Sequence, residues 1–193
     1  MTAGLRERKK AATRLALHRS ALRLALELGA ERVTVEAIAD DAGVSRRTFS
    51  NYFANKEQAL LHGDFERIRR LTGSIRDRPP GEPAWAALTE AAHQFYDDLG
   101  QLDPAVVSRW RMVRKHPALA AQHVNTFAVL EWELSTAVAE RLPAADDLRA
   151  RLMAAAFLAT LRVALDVWLD TPDTSLATLV RSTLSQVGAG FAG

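Results

Sequence analysis

Gly43 narrows what this chain can fold into more than any other residue. It interrupts the stretch "VTVEAIADDAGVSRRTFSNYF", residues 33–53, and leaves a short helical pattern on either side. Ala39, four residues earlier, is small enough for two helices to cross closely. Phe49, six residues later, is apolar and can anchor the second helix in a core. At the joint, glycine adopts the positive φ of a sharp turn at little cost. The spacing predicts a helix-turn-helix whose inner face is completed by Val35, Ile38 and Val44. Thr34 is placed to cap the first helix, over 35–42, and Ser45 the second, over Arg46 to about Phe53. Asn55 is placed to cap a further helix that opens with Lys56 and Glu57.

Phe49 and Phe53 are one turn apart and face inward. Arg46, Arg47, Ser50 and Asn51 are left outward, in two neighbouring i, i+4 rows. Such a helix suits the major groove of DNA. There Arg donates twice to guanine O6 and N7, and Asn pairs with adenine N6 and N7. Thr48 and Tyr52 flank this face with hydroxyls placed to donate to phosphate oxygens. Lys56 falls in the first turn of the next helix, where a cation is unfavourable. It becomes sensible if a phosphate sits beside the free backbone N–H groups there. The plainer alternative is a solvated polar face.

Charge supports the nucleic-acid reading. Residues 1–78 hold 16 Lys or Arg against 10 Asp or Glu, a balance of +6, whereas the remainder, with 9 against 13, carries −4. A basic N-terminal part points to a polyanion, most simply nucleic acid. The segment "RERKKAATR" concentrates Arg6, Arg8, Lys9, Lys10 and Arg14. Residues 1–10 are expected to form a basic arm adding phosphate or minor-groove contacts, a solubilising tail being the alternative. The arm lacks the bulky apolar face of a membrane-surface helix.

Strand signals are nearly absent, and Leu, Ala, Arg and Glu dominate, which favours helices. The expected fold class is all-α with about nine helices. The first runs from about Arg6 to Leu28 and is closed by Gly29. The fourth reaches about Ile75, and the Pro/Gly-rich residues 78–83 read as a joint. A helix-turn-helix domain over 11–70, with its motif at about 34–53, is therefore expected before a helical domain over 79–193. In the second domain, one helix spans about 84–99 and is ended by Gly100. The next starts at Asp103-Pro104 and is ended by His116-Pro117. Three more cover about 118–141, 145–170 and 174–187, with Pro143 and Pro172 as breaks.

Several function classes are excluded. With no cysteine, the chain has no disulfide framework and no thiolate site. "MTAGLRERKK" is not followed by an apolar segment and cleavage site, so it does not read as a signal peptide and a cytoplasmic protein is expected. The longest apolar run, Leu152 to Leu169, approaches membrane-spanning length but contains Arg162 and Asp166, so a buried core helix is expected. No Gly-rich phosphate loop, H-E-x-x-H or G-x-S-x-G motif occurs. His93, His116 and His123 show no metal-site grouping. Neither an enzyme, a cofactor nor a metal is expected.

Residues 11–70 resemble the DNA-binding domain of TetR-family transcriptional regulators. The resemblance is carried by "TVEAIADDAGVS", "RTFSNYF" and "NKEQALL", in order and at family spacing. It implies an all-α homodimer whose third helix enters the major groove and whose C-terminal domain binds a small effector that releases DNA. Thr34, Ser45, Thr48, Tyr52 and Lys56 fall where members commonly touch phosphates. Arg46, Arg47 and Asn51 fall on the recognition helix, with Ser50 beside them. Ala25 departs from the pattern, since many members carry a large aromatic there. The run "RERKKAATRLALHRSALRLALE" is similar to an actinobacterial subset with regulators associated with mycofactocin clusters, some responding to acyl-CoA.

The resemblance implies a dimer interface on helices 8 and 9. Helix 8 supports this independently, being apolar almost all round and so needing partners on more than one face; the alternative is the central helix of a monomeric bundle. The effector pocket is expected among helices 5 to 8. Candidate walls are Trp85, Phe95, Tyr96, Trp110, Phe127, Trp132 and Phe157, each of which could equally be core. Arg162 is a candidate for recognising an anionic group or, alternatively, an i, i+4 partner of Asp166. The expected function is sequence-specific regulation by a ligand-responsive homodimeric repressor. It would read a near-palindromic operator and answer to a small, mostly apolar effector, anionic or acyl-CoA-like. The rival class is a helical carrier or enzyme that has lost DNA binding.

Overall fold

A computed structural model of the chain describes residues 2–99, 104–142, 146–171 and 173–190. Among these, the regular elements are α1 (Thr2–Leu28), α2 (Val35–Asp41), α3 (Arg46–Ser50), α4 (Lys56–Arg76), α5 (Ala84–Asp98), α6 (Pro104–Lys115), α7 (Pro117–Ala139), α8 (Asp147–Asp170) and α9 (Leu176–Gly188). The all-α fold, with nine helices among the described residues, matches expectation. Gly100, Asp103, Pro143, Ala145 and Pro172, expected as breaks or helix starts, lie outside the described residues, as do 191–193.

Two boundaries differ from the sequence pattern. α1 starts at Thr2 rather than near Arg6: no proline interrupts the segment, and the helix runs on through Gly4, whose carbonyl accepts from the Arg8 Nε at 3.1 Å. α3 stops at Ser50, not at Phe53. The N–H groups of Tyr52 and Phe53 both return to the Phe49 carbonyl, at 2.8 and 3.0 Å, which tightens the last turn.

The helices form two compact units. The first takes residues 1–66 and 108–123, the second 67–107 and 124–193. In the first, Leu17 and Ala21 of α1, Ile38 and Ala39 of α2, Phe49 of α3, Phe53, and Leu60 and Leu61 of α4 share one core, joined by Leu119 of α7. Burying each of the leucine, isoleucine and phenylalanine side chains contributes about 1.5–3 kcal/mol. Gly43 sits at φ +67° and Gly29 at φ +87°, so both turns use conformations that suit glycine. A buried polar cluster lies between α1, α4 and α6. The Arg109 guanidinium donates to Asp64 Oδ1 at 2.8 Å and the Trp110 indole to the same oxygen at 3.0 Å. His18 Nδ1 lies 2.7 Å from the Ala59 carbonyl and its ring meets His62 edge-on. Burial lowers the His18 pKa below 6.5, and the Arg109 charge adds to this.

In the second unit α9 packs on α8 and α5. Leu88, Ala92, Phe157, Val180 and Leu184 are among its buried residues. Arg141, just past α7, donates to the carbonyls of Ile75, Arg78 and Pro79 at 2.7, 2.8 and 3.0 Å. It thereby ties the last turn of α4 and the loop after it to the end of α7, adding to the bonds that the Ile75 and Pro79 carbonyls already accept from the Arg78 and Glu82 N–H groups at 3.3 Å. α8 is the one described helix long and apolar enough to cross a membrane, but residues such as Met153, Phe157 and Leu161 are buried in this unit.

Candidate nucleic-acid interface

α3 is held from below and from both ends. Phe49 is 1% exposed and Phe53 6%, their rings 5.8 Å apart. At its start, Ser45 Oγ accepts from the Thr48 N–H at 3.0 Å and lies 2.9 Å from Thr48 Oγ1. One of those two hydroxyl hydrogens is spent on the other oxygen, so the pair keeps one to offer outward. Thr34 Oγ1 accepts from the Ala37 N–H at 3.1 Å and caps α2 in the same way. α4 opens on a reciprocal cap. Asn55 Oδ1 accepts from the Gln58 N–H at 2.8 Å, and Gln58 Oε1 from the Ala54 N–H at 2.9 Å.

The anchoring leaves Arg46, Arg47, Ser50 and Asn51 exposed together, with Thr48 and Tyr52 half-buried at the edge. Their surroundings differ. Arg46 pairs with Glu36 of α2 at 3.0 Å. Arg47 has no ion-pair or side-chain hydrogen-bond partner among the described residues. Ser50 Oγ donates back to the Arg46 carbonyl at 3.2 Å. Asn51 is the C-cap of α3, its N–H 3.2 Å from the Arg47 carbonyl and its side chain exposed. Tyr52 lies under the Arg14 guanidinium of α1, 5.9 Å from its ring centre, and Phe53 lies at 6.0 Å.

Lys56 is used differently from the sequence expectation. Its Nζ donates to the carbonyls of Ala30, Glu31 and Val33 at 3.0, 3.1 and 2.9 Å. An ammonium has three hydrogens, and all three are engaged. The side chain fastens the α1–α2 loop to the first turn of α4, and a phosphate there would have to take a hydrogen from a carbonyl. Glu36, which shapes the exposed face, is unmarked in the sequence patterns, and Arg14 stands out there only as part of the basic segment, not as a partner of Tyr52. Each acts across 10 residues or more, where periodicity carries no signal.

The aromatic candidates for a pocket do not converge. Trp110 belongs to the first unit and is tied to Asp64. Trp132 is 71% exposed on α7. Arg162 is exposed and 3.5 Å from Asp166, the i, i+4 pair. Phe95 and Tyr96 meet edge-on with each other, and Phe127 is half-buried. Trp85 and Phe157 do come together, edge-on at 6.4 Å. Trp85 also lines an open groove of about 870 Å³ between α5, α8 and α9, with Met153 and Leu184 as apolar wall and His93, Arg149 and Arg181 as polar groups. His93 Nε2 is buried there without a hydrogen-bond partner, and burial lowers the pKa of the ring. An uncharged imidazole nitrogen of this kind can accept a hydrogen bond.

Comparison with known proteins fits this arrangement. Residues 17–62 match the family model described as bacterial regulatory proteins, tetR family, and residues 82–192 match the MftR C-terminal domain. The HTH-type transcriptional regulator TcmR of Streptomyces glaucescens is 33% identical over 184 residues, covering 91% of this chain and 81% of TcmR. Among solved structures, FadR of Thermus thermophilus, a TetR-family transcriptional repressor in complex with lauroyl-CoA, superposes with a TM-score of 0.59 at 20% identity, covering 89% of this chain and 91% of that one. NalD of Pseudomonas aeruginosa, the secondary repressor of the MexAB-OprM multidrug efflux pump, gives 0.59 at 20% identity, covering 95% and 97%. These two likenesses concern the fold. The two family models and the TcmR relative carry the conclusion that the chain belongs to the TetR family of DNA-binding transcriptional regulators, in the subset with an MftR-type C-terminal domain.

Proposed function

We propose that the protein is a ligand-responsive homodimeric repressor of a near-palindromic operator. The observation that carries the reading is the outward face of α3. Arg47 is exposed and unpartnered among the described residues on a helix whose other side is locked by Phe49 and Phe53. In this reading Arg46, Arg47, Ser50 and Asn51 meet base edges, while Thr34, Ser45, Thr48 and Tyr52 offer hydroxyls to phosphates. Two copies place two such helices in successive major grooves, half-site centres about 34–36 Å apart.

Dimerisation through α8 and α9 is supported by apolar residues that α8 leaves exposed: Leu148, Leu152, Val163 and Val167 are 71, 53, 45 and 46% exposed. The effector is a small, mostly apolar molecule, and the groove beside Trp85 is the place proposed for it, with Arg149 and Arg181 to meet an anionic group. Thermus FadR is known with lauroyl-CoA, which makes acyl-CoA the first class to test. The effector must bind the non-DNA form more tightly, or it shifts nothing. The proposed response is a displacement of α4, through α6 and α7.

The test is a mobility shift with the DNA upstream of the protein's own coding sequence. Arg47→Ala should cost roughly 1–3 kcal/mol on the cognate site and little on random DNA. Equal loss on both would rule out base reading. No shift by the wild type on any DNA would favour the carrier alternative.

A further inference from the structure

We infer that the first turns of α1 form a rigid basic rod that holds the duplex backbone flanking each half-site, beyond the reach of α3. The inference rests on the DNA-reading function proposed above.

Three observations place the rod. First, residues 4–12 are exposed on every side, so α1 leaves the body of its unit at about Thr13 while remaining helical to Thr2. Second, the last long-range contact before that point is Arg14 over the rings of Tyr52 and Phe53, just past the C-terminal end of α3. The helix therefore projects from beside the recognition helix. Third, its charge is aimed. Arg6, Lys10, Arg14, Leu17 and Ala21 follow one another at helical spacings of four, four, three and four, so they share one stripe. Leu17 and Ala21 are fully buried on that stripe and Arg14 stacks on Tyr52. Where the body of the unit ends, the stripe changes from apolar to cationic.

A helix end that packed on protein would keep apolar residues on this stripe. Arg6 and Lys10, with Lys9 alongside, instead suit a polyanion continuing past α3. Neither Arg6, Lys9 nor Lys10 forms a salt bridge among the described residues. Arg6 lies eight residues from Arg14, about 12 Å along a helix at about 1.5 Å per residue. That is the rise of about three to four base pairs at about 3.4 Å each. The helix is already formed, so its charges are positioned without the ordering cost of a disordered tail.

The experiment uses the full-length protein and an operator selected from a random-sequence library. One duplex is trimmed to the two half-sites, the other extended by about six base pairs at each end. The wild type should bind the extended duplex at least about tenfold more tightly at low salt. The triple variant Arg6→Gln, Lys9→Gln, Lys10→Gln should lose that advantage and keep wild-type affinity for the trimmed duplex. Its salt slope on the extended duplex should fall by roughly three per protomer, about 0.9 for each phosphate contact. Ala11→Pro, which keeps every charge and breaks the helix, should lose the advantage too. A triple variant indistinguishable from wild type on both duplexes, or equally weakened on both, overturns the flanking contact. Full advantage retained by Ala11→Pro overturns the rigid rod. A wild type that binds neither duplex refutes the DNA-reading function itself, a different outcome from all of these.

Discussion

Two glycines on α4 should respond oppositely to the same substitution. In an exposed helix interior, Gly→Ala stabilises by about 0.4–1 kcal/mol, by restricting the unfolded chain and improving helix propensity. Gly73 should behave in this way, since a Cβ there meets nothing within 4 Å. At Gly63 the same Cβ would lie 2.5 Å from His18 Nε2 and 3.1 Å from its Cε1. Ordinary contact needs about 3.5–4 Å, so the ring must retreat by about 1 Å. It has little room. Its side chain is buried, its Nδ1 is fixed 2.7 Å from the Ala59 carbonyl, and His62 lies edge-on with Phe53 behind. Overpacking costs about 1–3 kcal/mol and the strained hydrogen bond about 0.5–1.5 kcal/mol. Set against the helix gain, Gly63→Ala should be destabilising by about 1–3 kcal/mol. For a chain of this size that lowers the melting temperature by roughly 2–4 °C per kcal/mol. Denaturant unfolding at fixed protein concentration compares the two variants. In a His18→Ala background the clash disappears, and Gly63→Ala should become stabilising by about 0.4–1 kcal/mol, a coupling of about 1.4–4 kcal/mol. If Gly63→Ala raises stability as Gly73→Ala does, the close packing of α1 on α4 described here is wrong.

Other perturbations follow from the same contacts. Lys56→Met keeps the apolar stem and removes three charge-assisted hydrogen bonds, and should cost about 2–3 kcal/mol, because Glu31 is exposed and its carbonyl can rehydrate whereas Ala30 and Val33 are buried. Its DNA salt slope should be unchanged, whereas a fall of about one would show that Lys56 reaches a phosphate. His18 has a folded pKa below its ordinary 6.5, so under that pH the unfolded chain takes up a proton that the folded chain refuses. Stability should fall as pH drops from about 6.5 toward the folded value and level off beneath it; a slope that survives in His18→Gln would have another source. Leu152→Asp with Val163→Asp on the exposed side of α8 should give a monomer in sedimentation equilibrium, and a persistent dimer would move the interface elsewhere.

What could be read in advance was local. Thr34, Ser45 and Asn55 cap their helices because the bond runs three residues along the chain, within the span of a sequence pattern. Gly29 and Gly43 were legible because left-handed backbone leaves few other choices. Phe49 and Phe53 were legible from the turn that separates them. What could not be read was tertiary. The carbonyls that hold Lys56 stand 23 to 26 residues away, and Trp110 finds Asp64 across 46. Trp110 and Trp132 each sit between two charges of one sign, arginines for the first and glutamates for the second, yet one is buried and the other 71% exposed. Composition marks an aromatic as a possible wall, but only packing decides whether a cavity stands beside it.

α3 is five residues long. Isolated helices shorter than about 12–15 residues are marginal in water, so this one has no folded existence apart from α2, α4 and the core under Phe49. Its population is the population of the folded unit. Operator DNA, binding only that form, should raise its melting temperature by mass action. The same linkage makes DNA affinity a gauge of folding reserve. A substitution at Leu17, far from any base, leaves affinity intact while the unit is fully folded, then weakens it steeply once warming or denaturant brings unfolding within reach. Under the repressor function proposed above, loss of DNA binding by heat and by effector would look alike in a reporter assay, and only the former would be suppressed by a stabilising change such as Gly73→Ala.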